Sequence, residues 1–266
     1  MGFAAFVLAL ASFVSGFFSP NQALASSLFN DPFSVDKKVE ETGSMGESKD
    51  MNWWVNSGGY FDAISSRAYT ARGDLPPGSY WQKAYATSTP TDTDGGLHPQ
   101  NIFRLLTRTK WQNFSQHAYF QVLKDNLSLS SNRNASNGLL LFNRYQDGDN
   151  LYYTGVRVDG ALVIKKKVRG TYTTLGYKKY FAGTYNKTTN PNLLPKFKWI
   201  GVKSEVTNLA DGKNNIKLYL DVGWTGVWSL VLEATDSEPS LNSAGYGGIR
   251  TDFMDVEFDG FLISSL

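Results

Sequence analysis

Apolar residues recur at every second position along most of this chain, and no long segment repeats them at helical spacing. Successive side chains of a strand point to opposite faces, so this period specifies sheet with one face buried. In His117 to Lys124, Ala118, Phe120 and Val122 face one way while His117, Tyr119 and Gln121 face the other. Leu162, Ile164 and Val168 oppose Lys165 and Lys167; Ile200, Val202 and Val206 oppose Trp199 and Lys203; Ile216, Leu218 and Leu220 oppose Lys217, Tyr219 and Asp221. Turn clusters separate the runs, among them Pro76-Pro77-Gly78, Asp92-Thr93-Asp94-Gly95-Gly96, Asp147-Gly148-Asp149-Asn150, Asp159-Gly160 and Asp211-Gly212. Many short strands bounded in this way predict an all-β fold, in which two antiparallel sheets pack face to face as a jelly-roll sandwich with a concave face.

The amino terminus is of a different kind. Met1 to Phe18 is apolar apart from small and hydroxyl residues, and Ala23-Leu24-Ala25 supplies the small-x-small pattern of a cleavage site. Residues 1–25 are therefore expected to be a secretory signal, although no Lys or Arg precedes the apolar run. No second segment has the length to span a bilayer, so a secreted or cell-surface protein with no membrane contact after cleavage is expected. Residues 26–51, polar and poor in aromatics from Ser34 to Asp50, are expected to form a lead-in to a domain spanning 52–266. The formal charge is +2, which argues against nucleic acid as a partner. There is no cysteine, hence no disulfide framework and no thiolate nucleophile. A core of this size can hold a monomer without them. Asn113, Asn126, Asn134 and Asn186 stand in N-x-S/T sequons, which matter only in a cell that glycosylates.

The stretch GLLLFNRYQDGDNLYYTGVRVDGALVIKKKVRGTYTTL, Gly138 to Leu175, resembles the middle hairpins of concanavalin A-like lectin/glucanase (laminin-G-like) jelly rolls. GYGGIRTDFMDVEFDGFLI, Gly245 to Ile263, is similar to the last two strands of that group. The resemblance implies the fold far more specifically than the function, because the scaffold hosts lectins, hydrolases, lyases and adhesion modules. It also implies a structural calcium ion tying the first strand to the last, with Asp31 and Asp259 at the matching positions.

In Ile102 to Lys110, Phe103, Leu105, Thr107 and Thr109 share the side expected to face the core, leaving Arg104 and Arg108 on the other. If this strand lies beside His117 to Lys124, then Arg104, Arg108, His117, Tyr119 and Gln121 line one open surface. Arg suits a sugar acid because its fork offers two parallel hydrogen bonds. Tyr119, Trp199 and Tyr219 supply ring faces for stacking on sugars. The leading expectation is a protein that recognises a polysaccharide in a concave groove. A polysaccharide lyase is the alternative: His117 or Tyr119 would remove the proton alpha to a uronate carboxylate, while Arg104 and Gln121 stabilise the charge that develops there. A non-catalytic adhesion module is a third. The same polar side chains also serve ordinary solvated strand faces.

Two other catalytic patterns are weaker. Tyr180-Phe181-Ala182-Gly183-Thr184-Tyr185-Asn186 has a likeness to a signature of alginate-type lyases, but it lacks the Lys and precedes the closing strands. Asp255, Glu257 and Asp259 alternate onto one strand face, yet they do not form the acid pair pattern of the glucanases on this scaffold.

Overall fold

The computed structural model describes residues 28–238 and 241–266; the expected signal segment, 1–25, lies outside the described residues. Two antiparallel sheets form the molecule. The nine-stranded sheet contains β1 (Leu28–Asp31), β2 (Lys37–Glu40), β4 (Tyr60–Ala63), β5 (Ala68–Thr70), β7 (Phe114–Asp125), β12 (Ile200–Asn208), β13 (Asn214–Val222), β14 (Ser229–Asp236) and β16 (Met254–Ser265). The seven-stranded sheet contains β3 (Trp53–Ser57), β6 (Ile102–Trp111), β8 (Gly138–Asp147), β9 (Asn150–Arg157), β10 (Ala161–Val168), β11 (Thr171–Lys179) and β15 (Gly245–Asp252). Their spatial orders are β14-β13-β12-β7-β16-β5-β4-β2, with β1 beside β16, and β11-β10-β9-β8-β15-β6-β3. This is the all-β jelly-roll sandwich that the alternation predicts.

Parity assigns the core residues correctly. Phe103 and Leu105 of β6, Ala118, Phe120 and Val122 of β7, Leu162 and Ile164 of β10, and Ile216, Leu218 and Leu220 of β13 all enter one buried cluster. At one end Phe33, Trp53, Phe61, Phe258 and Phe261 interlock edge to face and by stacking, with centroids 4.8 to 6.0 Å apart. A polar seam crosses between the sheets. Gln116 donates from Nε2 to Asn143 Oδ1 at 2.9 Å and accepts from the Gly248 amide at 3.1 Å, while Ser204 donates to Asn143 Oδ1 at 2.7 Å. These groups satisfy one another and so fix how one sheet sits over the other.

Two local expectations are corrected. Residues 26–51 are not merely a lead-in, because β1 pairs with β16 and β2 pairs with β4. Backbone pairing recruits them, and the side chains of Lys37, Lys38 and Glu40 conceal it. A helix, α1 (Tyr80–Ser88), also interrupts the β-pattern. It buries Tyr85 alone, so it carries no apolar stripe from which a period could be read. Tyr85 locks it in place by donating to Glu41 and accepting from the Gly58 amide at 2.7 Å.

Candidate functional site

The topology separates the residues expected to share one surface. β6 lies in the seven-stranded sheet and β7 in the nine-stranded sheet. Both strands bury their apolar faces in the same core from opposite sides, so their polar faces point away from each other. Arg104 and Arg108 therefore lie on one exterior of the sandwich, while His117, Tyr119, Gln121 and Tyr219 belong to the opposite sheet, with Trp199 just before its strand β12. The single surface expected from Arg104, Arg108, His117, Tyr119 and Gln121 does not form.

On the nine-stranded side the aromatic residues are occupied with one another. Tyr119 stacks on Trp224 at 4.3 Å with planes 3° apart, and Arg67 stands 5.3 Å from the ring centres of both Trp199 and Trp224. Gly201 makes room for this layer, since a Cβ there would lie 2.6 Å from the Tyr119 ring and 2.8 Å from that of Trp228. Tyr119 donates to Asp221 at 2.9 Å, and Tyr219 donates to Glu205 at 2.8 Å beneath the ammonium of Lys203. His117 packs on Trp228 at 5.1 Å; burial, helped by Lys203, pushes its pKa down to about 4. His117 is therefore neutral near pH 7 and a weaker base than an ordinary imidazole.

The expected calcium pair does not fit its residues. Asp259 is ion-paired with Arg67. Asp31 accepts the Trp53 indole N–H at 2.7 Å, the Phe33 amide at 2.8 Å and the Lys37 ammonium at 3.4 Å. Both carboxylates are thus neutralised by groups of the chain itself, where a calcium site would leave several oxygens converging on one point. The three acids of the closing strand are committed as well. Glu257 shares Arg67 at 3.2 Å, and Asp255 accepts from the Gly73 amide, Gln100 and Asn126 at 2.7 to 2.9 Å.

The hollow lies on the exterior of the seven-stranded sheet. Leu106, Leu140, Phe142, Tyr145, Leu151, Tyr153 and Val163 form a second buried cluster there, with Trp54 and Tyr246 packed against it. Gly155 and Gly248 leave no side chains in this floor. A Cβ at either position would lie 2.2 or 2.1 Å from a carbonyl oxygen of the next strand. Beside this cluster, and sharing Tyr153 with it, is a cavity of about 370 Å³ lined by Ile102, Arg104, Tyr153, Lys165, Tyr172, Arg250, Asp252 and Phe253, and rimmed by Asp92, Asn132, Asn134, Ser136 and Asn137. Register explains the grouping: Arg104 of β6 faces Arg250 of β15, and Tyr153 of β9 faces Lys165 of β10.

Within the hollow Arg250 donates from Nε to Asp252 Oδ1 at 2.9 Å and stands 5.6 Å from the Tyr153 ring centre. Burial works against the Arg250 charge, and Asp252 more than offsets it, so the guanidinium stays firmly protonated. Burial raises the Tyr153 hydroxyl above its ordinary value. It also lowers the Lys165 ammonium below its own, with Arg157 and Arg250 pushing the same way. Asp252 Oδ2 is buried without a hydrogen-bond partner among the described residues. Of the residues expected from sequence, Arg104 alone lines this cavity; Arg108, on the same strand, spends its guanidinium on the carbonyls of Asp50 at 2.6 Å and Ser48 at 3.4 Å.

The protein is thus an all-β jelly roll with an aromatic and cationic hollow on one exterior. No protein-family model matches the sequence, and no curated protein does. Among solved structures it is similar to the carbohydrate-binding module CBM66 from Bacillus subtilis, with 18% identity, TM-score 0.43, and coverage of 60% of this chain and 80% of that one. It is similar to a GH43 protein, BlXynB, from Bacillus licheniformis, with 13% identity and TM-score 0.47; the match covers 89% of this chain but 39% of that one. The exoplasmic/lumenal domain of VIP36 in its Ca2+/Man3GlcNAc-bound form is 8% identical, with TM-score 0.45 and coverage of 90% and 91%.

Proposed function

We propose that the hollow on the seven-stranded sheet binds a glycan, and that the protein acts by recognition, secreted or displayed at a cell surface. One observation carries this reading. Tyr153 and Tyr172 line a cavity whose rim is built from amide and hydroxyl side chains, Asn132, Asn134, Ser136 and Asn137. Ring faces accept the C–H surfaces of a sugar, and planar amides match its hydroxyls as both donors and acceptors. Ile102 and Phe253 add apolar surface to a lining that is otherwise polar, as suits a ligand rich in hydroxyls.

Recognition is favoured over elimination by the residues in the hollow. His117, Tyr119 and Gln121 stand on the other sheet, which leaves Arg104 without the catalytic partners expected for it. The hydroxyl of Tyr153 is held protonated by burial, which disfavours it as a base.

Retardation of the purified protein in gels containing a panel of polysaccharides tests the reading. Tyr172 is 48% exposed. Tyr172→Ala is therefore expected to keep the melting temperature while weakening binding about fivefold, the loss of one ring contact. Migration unaffected by every glycan would end the proposal. Appearance of ultraviolet-absorbing unsaturated ends during incubation would instead establish a lyase.

A further inference from the structure

We infer that the hollow selects glycans bearing carboxylate or sulfate groups, a conclusion that rests on the glycan reading and sharpens it. Three cations line the cavity, Arg104, Lys165 and Arg250, and one acid beside them, Asp252, is already bound to Arg250. The other carboxylate of the lining, Asp92, sits at the rim and accepts from Ser130 and from Asn132 at 3.1 Å. The Arg104 guanidinium has no hydrogen bond or ion pair among the described residues, and Lys165 has no ion pair there, only the Tyr172 ring 5.6 Å away.

Placement makes the excess costly. Arg104 and Arg250 are direct partners across adjacent strands, and like charges in that relation destabilise a sheet. The chain could relieve this with an acid, as it does elsewhere on the same sheet, where Arg157 pairs with Asp159 at 2.9 Å and Lys167 with Asp149 at 2.8 Å. In the hollow Asp252 relieves Arg250 alone, and no acid pairs with Arg104 or Lys165 among the described residues. Arg250 is also largely buried, its side chain 18% exposed and that of Asp252 6%, so this pair is fixed rather than trailing in solvent.

An acidic group placed between Arg104, Arg250 and Lys165 removes the repulsion and gains the bidentate geometry a guanidinium offers. It also favours the protonated form of Lys165, which burial and the cationic neighbours Arg157 and Arg250 disfavour. Asp252 Oδ2, buried at the edge of the cavity without a partner, is left as an unsatisfied acceptor there. The amide rim around Asn132 and Asn137 takes an adjoining residue of the same glycan.

The experiment is calorimetric titration of the full chain with three tetrasaccharides: a galacturonate, a sulfated neutral sugar and an uncharged glucan. The acidic ligands are expected to bind at least tenfold more tightly than the uncharged one, and whichever of carboxylate and sulfate binds better identifies the group recognised. Arg104→Gln is expected to lose at least tenfold in affinity for them, and Lys165→Gln to lose affinity too. Lys198→Gln removes the same charge from an exposed position outside the hollow and is expected to change nothing. Because Arg104→Gln also relieves the opposition to Arg250, its melting temperature is expected to hold or rise.

A neutral sugar bound as tightly as the acidic ones would overturn the inference while leaving glycan binding intact. Binding of none of the three would remove both. Equal losses in Arg104→Gln and Lys198→Gln would reduce the effect to general charge attraction, and a clear fall in the melting temperature of Arg104→Gln would assign Arg104 to the scaffold.

Discussion

Arg144→Leu is expected to cost about 3–5 kcal/mol of stability, through several lost hydrogen bonds to a buried cation and the acceptors left orphaned. Arg144 is wholly buried, and its backbone adopts φ 50, turning it out of the strand alternation and into the interior. From there it donates to the carbonyls of Gln112 at 2.8 Å and Leu241 at 2.9 Å, and to Asn214 Oδ1 at 3.0 Å and Asn113 Oδ1 at 3.2 Å. Four acceptors from three parts of the chain thus converge on one side chain. Burial lowers its pKa to about 10. Leucine fills comparable space but satisfies none of those acceptors, and each buried orphan carries a desolvation penalty. A denaturant midpoint close to that of the unmodified protein would contradict this role.

Acid is expected to weaken the fold through His117. In the unfolded chain this imidazole titrates near 6.5, whereas in the folded protein burial and Lys203 hold it at about 4. Between those values the unfolded chain binds a proton that the folded one refuses. The contribution is therefore complete above about pH 6.5 and is lost progressively as pH falls toward 4. Its size is on the order of 2 kcal/mol, taken below the full linkage value because the side chain is only partly buried. His117→Gln removes the titration and is expected to flatten the stability profile across this window. Parallel profiles for the two proteins would show that other groups govern acid unfolding.

The failed juxtaposition of Arg104 and His117 has a specific physical cause. Alternation tells which side chains of a strand face the core, and it does so correctly for Phe103 and Leu105 of β6 and for Ala118, Phe120 and Val122 of β7, although Thr109 is exposed. It does not tell whether two successive strands lie side by side or face each other across a core, because both arrangements bury the same residues. Long-range pairing decides the matter: β7 joins β16 and β12, while β6 joins β15 and β3.

Part of the hollow was nevertheless within reach. The Asp159-Gly160 turn fixes the β9–β10 register, which places Lys165 opposite Tyr153, and the Arg169-Gly170 turn places Tyr172 opposite Lys167. Arg250 was not, since its approach to Arg104 and Tyr153 depends on β15 inserting between β6 and β8, far away in sequence. The partners of the expected calcium pair were hidden for a related reason. Asp31 and Asp259 do lie on paired strands, but the cation that meets Asp259 is Arg67, contributed from before β5.

Hydrogen exchange of the full chain with and without a bound acidic oligosaccharide tests most directly whether the exterior of the seven-stranded sheet is the binding face. Slowed exchange is expected in residues 132–137, in 163–174 across the β10–β11 hairpin, and in β15, with no change from Trp199 through Trp228. Protection centred on Trp199, Trp224 and Trp228, with the β10–β11 hairpin exchanging as before, would move the site to the opposite sheet and contradict the assignment.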